Sequence, residues 1–341
     1  MEKKYDWSNL PFDYSVTPWR FIAKYKDGAW DDGTLSDDPV CHISECSTVI
    51  QYSQTCFDGF KAYRTKDDKV VIFRMDLNEE RFENSSKRLG IPVFPKEKFM
   101  EAVIQVVKAN IDLVPPYESG ATLYVRPVVY GTSACLGVHP AEEYELRIFV
   151  MPVGSYYSDG IKPISLCVSD YDRAAPRGTG DIKSGLNYAM SLYAGLLAHE
   201  AGFAENLYLD PATRTKVEEA GGANILFITK DGKFVTPKST SILPSVTRRS
   251  LVYVAQHYLN MEVEERTVLF DEVESFEECS LCGTAAVLSP VGRIVAGDKE
   301  ILFPTGMQTV GPVVKKLYDT LIGIQRGTIP APDGWLFEVE G

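Results

Sequence analysis

Several things are scarce in this 341-residue chain, and each scarcity narrows its chemistry. Histidine occurs four times, at His42, His139, His199 and His257, with no H-x-x-x-H or comparable ligand spacing. A histidine metal centre is therefore not expected. Positive charge is in deficit, 35 Lys and Arg against 47 Asp and Glu, for a net charge of −12. That balance disfavours binding to nucleic acid phosphates or to anionic membrane surfaces. No apolar run approaches a membrane span, and the start, MEKKYDWSNL, has no apolar signal-peptide core, so a cytosolic protein is expected. The seven cysteines are odd in number, which fits reduced thiols better than a disulfide framework. Cys279 and Cys282 form a lone C-x-x-C, and Cys41 and Cys46 have the wrong spacing to complete a zinc site. Redox activity or burial as structural thiols are the two readings of that pair. The sequence has no internal repeat and no low-complexity segment.

What is present is a large apolar fraction, 45% of residues, enough for two cores in a chain of this length. The expected division is residues 1–152 as a smaller N-terminal α/β domain, 153–162 as a turn-rich linker, and 163–341 as a larger C-terminal domain. In the first part, F-I-A-K-Y-K-D-G-A-W reads as a hairpin turning at Asp27-Gly28. Strands follow over 59–64 and 69–74, then a helix over 76–89 ended by Gly90. A second helix runs from Pro95 to about Leu113, with Phe99, Val103, Val106 and Val107 on one face. Residues 121–130 and 146–153 are strong strands, rich in β-branched and aromatic residues. Pro127 suggests an edge or a bulge in the first of them. The second part alternates strand and helix. A helix over 186–200 is expected to carry Met190, Tyr193, Leu196 and Leu197 inward, and others span 246–258 and 308–324. The fold class is mixed α/β (α+β), sheet and helix in each half.

One stretch organises the rest: R-G-T-G-D-I-K-S-G-L-N-Y-A-M, residues 177–190. Lys183 lies between glycine-containing turns and ahead of a helical pattern. A lysine amine is nucleophilic only when deprotonated, which partial burial favours. The chemistry suited to it is a Schiff base with a carbonyl, most often that of pyridoxal phosphate. Read alone, the stretch equally fits a solvated loop lysine. A nucleotide-binding P-loop needs Gly-Lys adjacent, and Ile182 precedes Lys183.

In order along the chain come G-T-G-D-I-K-S-G-L-N-Y, E-E-A-G-G-A-N-I-L-F, L-P-S-V-T-R and C-G-T-A-A. Together they resemble the branched-chain amino acid aminotransferases, within the fold-type IV pyridoxal phosphate enzymes, over nearly the whole chain. The resemblance implies a two-domain architecture with barrel-like sheet cores and flanking helices. It implies Lys183 as the Schiff-base lysine and proton carrier, and Tyr188 as the partner of the cofactor's phenolic oxygen. Glu219 matches the carboxylate that keeps the pyridine nitrogen protonated, with Glu218 as its rival. Arg81, Val246, Thr247 and Thr284 match phosphate donors, the middle two at a helix start. Ala285 matches a backbone contact to the substrate carboxylate. Tyr52, Phe57, Tyr124 and Tyr156 match pocket walls, with Lys61 lining the pocket and Arg126 as the arginine that receives a second carboxylate. Leu136 and Val138 match a loop that reaches the neighbouring subunit, which implies a homodimer.

The chain departs from the family pattern at several places. Leu186 stands where glycine is usual, Arg177 where a small residue is common, Gly222 where Thr or Glu is frequent, and Asp58 where Phe-Glu-Gly is commoner. The C-x-x-C of some animal members after G-T-A is replaced by Ala286 and Ser289. The function implied is amino transfer from L-leucine, L-isoleucine or L-valine to 2-oxoglutarate by ping-pong kinetics. Within the same fold the alternatives are a D-amino acid transaminase and an aminodeoxychorismate lyase. Outside it they are a nucleotide-binding protein and a non-catalytic binder of the cofactor.

Overall fold

The computed structural model describes residues 5–7, 10–154 and 161–340. They fall into two compact units. The first comprises Met1–Ser158, Ile182–Gly185 and Ile324–Gly341, the second Asp159–Asp181 and Leu186–Gly323.

The first unit is built on an antiparallel sheet. Its strands are β1 (Arg20–Lys26), β2 (Ala29–Trp30), β3 (Thr34–Ser36), β4 (Thr55–Phe57), β5 (Phe60–Arg64), β6 (Val70–Phe73), β7 (Thr122–Gly131) and β8 (Tyr144–Val153). The final strand, Leu336–Val339, pairs with β6, and the path runs on through β5, β7, β8, β1 and β2. Helices α1 (Thr48–Tyr52), α2 (Met75–Arg88) and α3 (Lys96–Ala109) complete it. The apolar face read from the sequence of α3 is the buried one: Phe99, Val103, Val106 and Val107 are at most 1% exposed. They pack with Leu123, Val125, Leu146 and Ile148 of the sheet, each contributing roughly 1.5–3 kcal/mol of burial. The Asp27-Gly28 turn is present, with φ of 52° and 84°, the left-handed pair such a hairpin turn requires.

Pro127 is neither on an edge strand nor at the end of one: β7 is flanked by β8 on one side and by β4 and β5 on the other. The Asp58 N–H donates to the Pro127 carbonyl at 2.9 Å. The proline nitrogen points the same way, toward the break between β4 and β5, where the ladder is interrupted and a missing N–H is tolerated.

The second unit holds a mixed sheet of β9 (Ile164–Val168), β10 (Glu205–Leu209), β11 (Val217–Ala220), β12 (Asn224–Ile228), β13 (Phe234–Pro237), β14 (Val263–Arg266), β15 (Glu278–Gly283), β16 (Val287–Ala296) and β17 (Lys299–Leu302). β9 lies parallel to β10 and β16, and most other pairs are antiparallel. Its core includes Leu166, Leu207, Ile225, Phe227, Leu281 and Ile294. Helices α4 (Gly185–Glu200), α5 (Val246–His257) and α6 (Pro312–Gln325) accompany it.

Helix α4 corrects the sequence reading. Met190, Tyr193, Leu196 and Leu197 are 53%, 57%, 53% and 39% exposed, while Asn187, Ala194 and Ala198 face inward. Small side chains let the helix lie close to its own unit, and the bulky stripe points out. No helix among the described residues is long and apolar enough to cross a membrane, and none of their His, Cys, Asp and Glu clusters could hold a metal ion.

Candidate active site

The lysine segment is held by the first unit rather than by the C-terminal part in which the sequence places it. The Phe57 N–H donates to the Lys183 carbonyl at 3.0 Å, and the Lys183 N–H to Ser85 Oγ at 3.0 Å. Ser184 forms a bridge with Cys56, and its hydroxyl donates to the Thr55 carbonyl at 3.1 Å. Position 183 is thus fixed at its carbonyl and at Ser184 by β4, and at its N–H by α2. Lys183 Nζ stands 5.0 Å from the centre of the Phe57 ring.

The same ring carries a second cation. The Arg126 guanidinium lies 4.7 Å from the Phe57 centre and 5.2 Å from that of Tyr124, and Nη2 donates to the Tyr124 hydroxyl at 3.1 Å. Arg126 Nε is buried without a hydrogen-bond partner, a donor set up for an acceptor from outside. Tyr124 packs against Gly59, where an added Cβ would fall 1.7 Å from its hydroxyl. Lys61 is opposite Tyr124 across the β5–β7 pair. Burial first, and then the charge of Arg326, lower its amine to about 7. The Tyr52 hydroxyl donates to the Leu136 carbonyl, and Leu136 and Val138 are 83% and 86% exposed. Tyr156 lies outside the described residues.

Arg81 of α2 forms a fork onto a buried carboxylate, Asp58, which the sequence reading noted only as a departure from the family pattern. Its Nε and Nη2 donate to Asp58 Oδ2 and Oδ1 at 2.8 and 2.7 Å. Asn78 Nδ2 and the Gly59 N–H add hydrogen bonds at 2.8 and 2.6 Å. The substitution within Phe57-Asp58-Gly59 was the only available signal.

In the second unit, neighbouring acids on β11 go to different partners, as strand alternation requires. Glu218 accepts from Ser239 Oγ at 3.0 Å and from Ser241 Oγ, beside a cleft of about 290 Å³. Glu219 accepts from Arg173 Nη2 at 2.5 Å, Asn224 Nδ2 at 2.7 Å and the Leu243 N–H at 2.9 Å. Glu219 and Arg173 are 3% and 7% exposed. Arg173 also donates to the carbonyls of Gly180 at 2.8 Å and Ser241 at 2.6 Å, so it ties the glycine turn ahead of the lysine to the acid. Sequence reasoning missed it, because nothing in D-Y-D-R-A-A-P-R separates a buried arginine from a solvated one.

Helix α5 starts at Val246 with Ser245 as N-cap, its hydroxyl accepting from the Arg248 N–H at 3.2 Å. Val246 and Thr247 are both buried there. Thr284 and Ala285 sit in a tight hairpin between Gly283 and Val287, which pair in register. Val287 has a φ of 65°, a left-handed conformation costly for a β-branched residue and typical of turns held for function. Tyr188 lies in the first turn of α4, half-buried. The pair Cys279 and Cys282 is buried in β15. Burial pushes both thiols up, that of Cys282 to about 12. An odd spacing on a strand also turns them to opposite faces, so they serve as structural thiols.

The class IV amino-transferase family model matches residues 55–294. The chain is 49% identical, over 343 residues, to the branched-chain-amino-acid aminotransferase of Haemophilus influenzae, covering 99% of this chain and 100% of that one. It is 46% identical, over 336 residues, to the branched-chain-amino-acid aminotransferase of Helicobacter pylori, covering 98% of each chain. It is similar to the solved branched-chain amino acid aminotransferase of Escherichia coli, with a TM-score of 0.79 and 26% identity over 94% of this chain and 99% of that one. A further solved branched-chain amino acid aminotransferase, that of T.th. with pyridoxamine 5'-phosphate, gives a TM-score of 0.76 and 28% identity over 93% and 98%. By its match to the family model and its identity to these relatives, the chain belongs to the branched-chain-amino-acid aminotransferases of the class IV aminotransferase family.

Proposed function

We propose that the protein transfers the amino group of L-leucine, L-isoleucine or L-valine to 2-oxoglutarate, giving branched-chain 2-oxo acids and L-glutamate. Its cofactor is pyridoxal phosphate, and the donor set fits that group. Thr247 and Val246 at a helix start, the Thr284 hydroxyl and the Arg81 guanidinium suit a phosphate. A buried carboxylate, Glu219, suits a protonated pyridine nitrogen. The Nε of Arg173, beside Glu219, is buried with no hydrogen-bond partner among the described residues.

Bound, the cofactor supplies an electron-accepting ring on which the amino group is carried between the two substrates. Lys183 anchors it, and Nζ takes and returns the proton at the substrate Cα. Glu219 holds the ring-nitrogen proton, and its own position is set by Arg173, Asn224 and the Leu243 N–H. Tyr188 donates to the phenolic oxygen, and the Ala285 N–H meets the substrate carboxylate. Tyr52, Phe57, Tyr124 and Lys61 are the candidates for the side-chain pocket.

The observation that carries the assignment is the stacking of Arg126 and Lys183 on Phe57. A site that takes leucine and glutamate in turn needs apolar walls and a cation for the second carboxylate. The Phe57 and Tyr124 rings supply the walls, and Arg126, stacked on both and held by the Tyr124 hydroxyl, supplies the cation. A bulky apolar stripe on α4, including Leu192 at 72% exposure, supports a homodimer, with Leu136 and Val138 reaching the second subunit. Light scattering giving a monomer at micromolar concentration would remove that part.

The test is a panel of L- and D-amino donors with 2-oxoglutarate. Activity on the three branched L-amino acids is expected, with none after Lys183→Ala. Turnover with D-donors alone, or a yellow protein that transfers nothing, would replace the assignment. Arg126→Met is expected to harm the glutamate half-reaction more than the leucine half.

A further inference from the structure

Two cysteines outside the proposed chemistry are joined by a backbone hydrogen bond in the first unit. Ser47 and Ala134 form an isolated antiparallel bridge, and the Cys135 N–H donates to the Cys46 carbonyl at 3.0 Å. In an antiparallel pair, the residue before one partner lies opposite the residue after the other. Cys46 and Cys135 are therefore joined backbone to backbone, with Cα atoms about 5.5 Å apart, although Cys46 lies in a turn and sends its own N–H to Ser44 Oγ at 3.1 Å. A disulfide spans Cα separations of about 4.4 to 6.8 Å. Both are free and partly exposed. The contact of Cys135 Sγ with the Gly137 carbonyl, 3.4 Å, is a weak thiol hydrogen bond that a rotamer change gives up. By contrast, Cys56 is buried and its thiol pushed up to about 12 by that burial, like those of the β15 pair. Cys41, exposed in the same unit, is the competitor.

We propose that Cys46 and Cys135 form a reversible intramolecular disulfide with a low-molecular-weight disulfide as oxidant, and that the bond locks the Leu136–Val138 loop against α1. In the first step one cysteine thiolate attacks a sulfur of the small disulfide, whose S–S bond breaks and releases one small thiol. In the second, the other thiolate attacks the protein-side sulfur of the mixed disulfide, forming the Sγ–Sγ bond and expelling the second small thiol. The two protein thiols give up two electrons and two protons, and the small disulfide takes up both. The loop already meets α1 through the Tyr52 hydroxyl and the Leu136 carbonyl, so the bond fixes a contact at the pocket wall. The locking effect, unlike the bond, rests on the proposed substrate role of Tyr52.

The experiment treats the reduced holoenzyme with oxidised glutathione and maps peptides without reduction. A peptide linking Cys46 to Cys135 is expected, with two titratable thiols lost per chain and both restored by dithiothreitol. Cys46→Ser and Cys135→Ser should each abolish the link, and Cys41→Ser should leave it. Glutathione adducts without the link, a link through Cys41, or cross-linked dimers on a non-reducing gel would overturn the bond. The oxidised enzyme should show kcat/KM for leucine lowered at least roughly threefold and recovered on reduction; an unchanged value with the link formed would overturn the locking. Absence of amino transfer in the reduced enzyme would instead refute the activity, and the peptide map would still decide the bond.

Discussion

Replacing Asp58 perturbs the buried pair on which Arg81 depends. The carboxylate is 0% exposed and Arg81 is 7% exposed, so neither charge has water to fall back on. Four hydrogen bonds converge on it, from Arg81 Nε and Nη2, Asn78 Nδ2 and the Gly59 N–H. Asp58→Asn keeps the shape, removes the charge and turns an NH2 toward the guanidinium. Removing one partner of a buried ion pair costs about 3–5 kcal/mol, because the other charge stays buried. Against a total of about 5–15 kcal/mol, that is a large share of the stability. Urea unfolding of the apoprotein, followed by circular dichroism, measures it without the stabilisation that bound cofactor adds. Asp58→Glu keeps the charge but adds a methylene to a filled space, at a cost of about 1–3 kcal/mol, and should retain cofactor where Asp58→Asn sheds it on dialysis. Unfolding of Asp58→Asn within about 0.5 kcal/mol of the parent, the range of ordinary surface substitutions, would show that the pair is not what positions Arg81.

Three further outcomes are expected. Lys61 titrates at about 7 instead of 10.5 because it is buried and near Arg326. Above about pH 7 the unfolded chain holds the proton that the folded one has released, so stability rises with pH up to about 10.5. Lys61→Met should flatten that rise and stabilise the protein most at pH 6; an unaltered slope of urea midpoints would contradict it. Gly59→Ala places a Cβ 1.7 Å from the Tyr124 hydroxyl, so it should break the Tyr124–Arg126 contact and raise KM for 2-oxoglutarate roughly tenfold, and a parental KM would refute this. Glu219→Gln removes the acid beside Arg173 and should lower kcat roughly a hundredfold or more, with stopped-flow half-reactions as the check; near-normal kcat would transfer the role to another group.

Local pattern made much of this legible. The 3.6-residue spacing of Phe99, Val103, Val106 and Val107 needs only one buried face to be right, and that face is buried. The β-branched runs of β7 and β8 likewise carry their own period. Pro127 is readable as an interruption, but its location depends on which strands lie beside β7, and that is a long-range fact. On α4 the periodicity is real and its direction is not legible, since a stripe of Met, Leu and Tyr looks the same whether it meets its own core or faces out. That Glu219 meets Arg173 and the Leu243 N–H while Glu218 meets Ser239 and Ser241 depends on partners far apart in the chain.

The sequence by itself determined the family through its ordered motifs, and it marked Lys183 and the glycine turns around it as candidates, because each is a matter of residue type and short spacing. Only the tertiary structure decided that Asp58 grips Arg81, that Arg173 links the Gly180 turn to Glu219, and that Cys46 is joined backbone to backbone to Cys135. Those contacts join residues 23, 46 and 89 positions apart. Charge and thiol chemistry act over a few ångströms, and only the folded backbone sets which distant residues come that close.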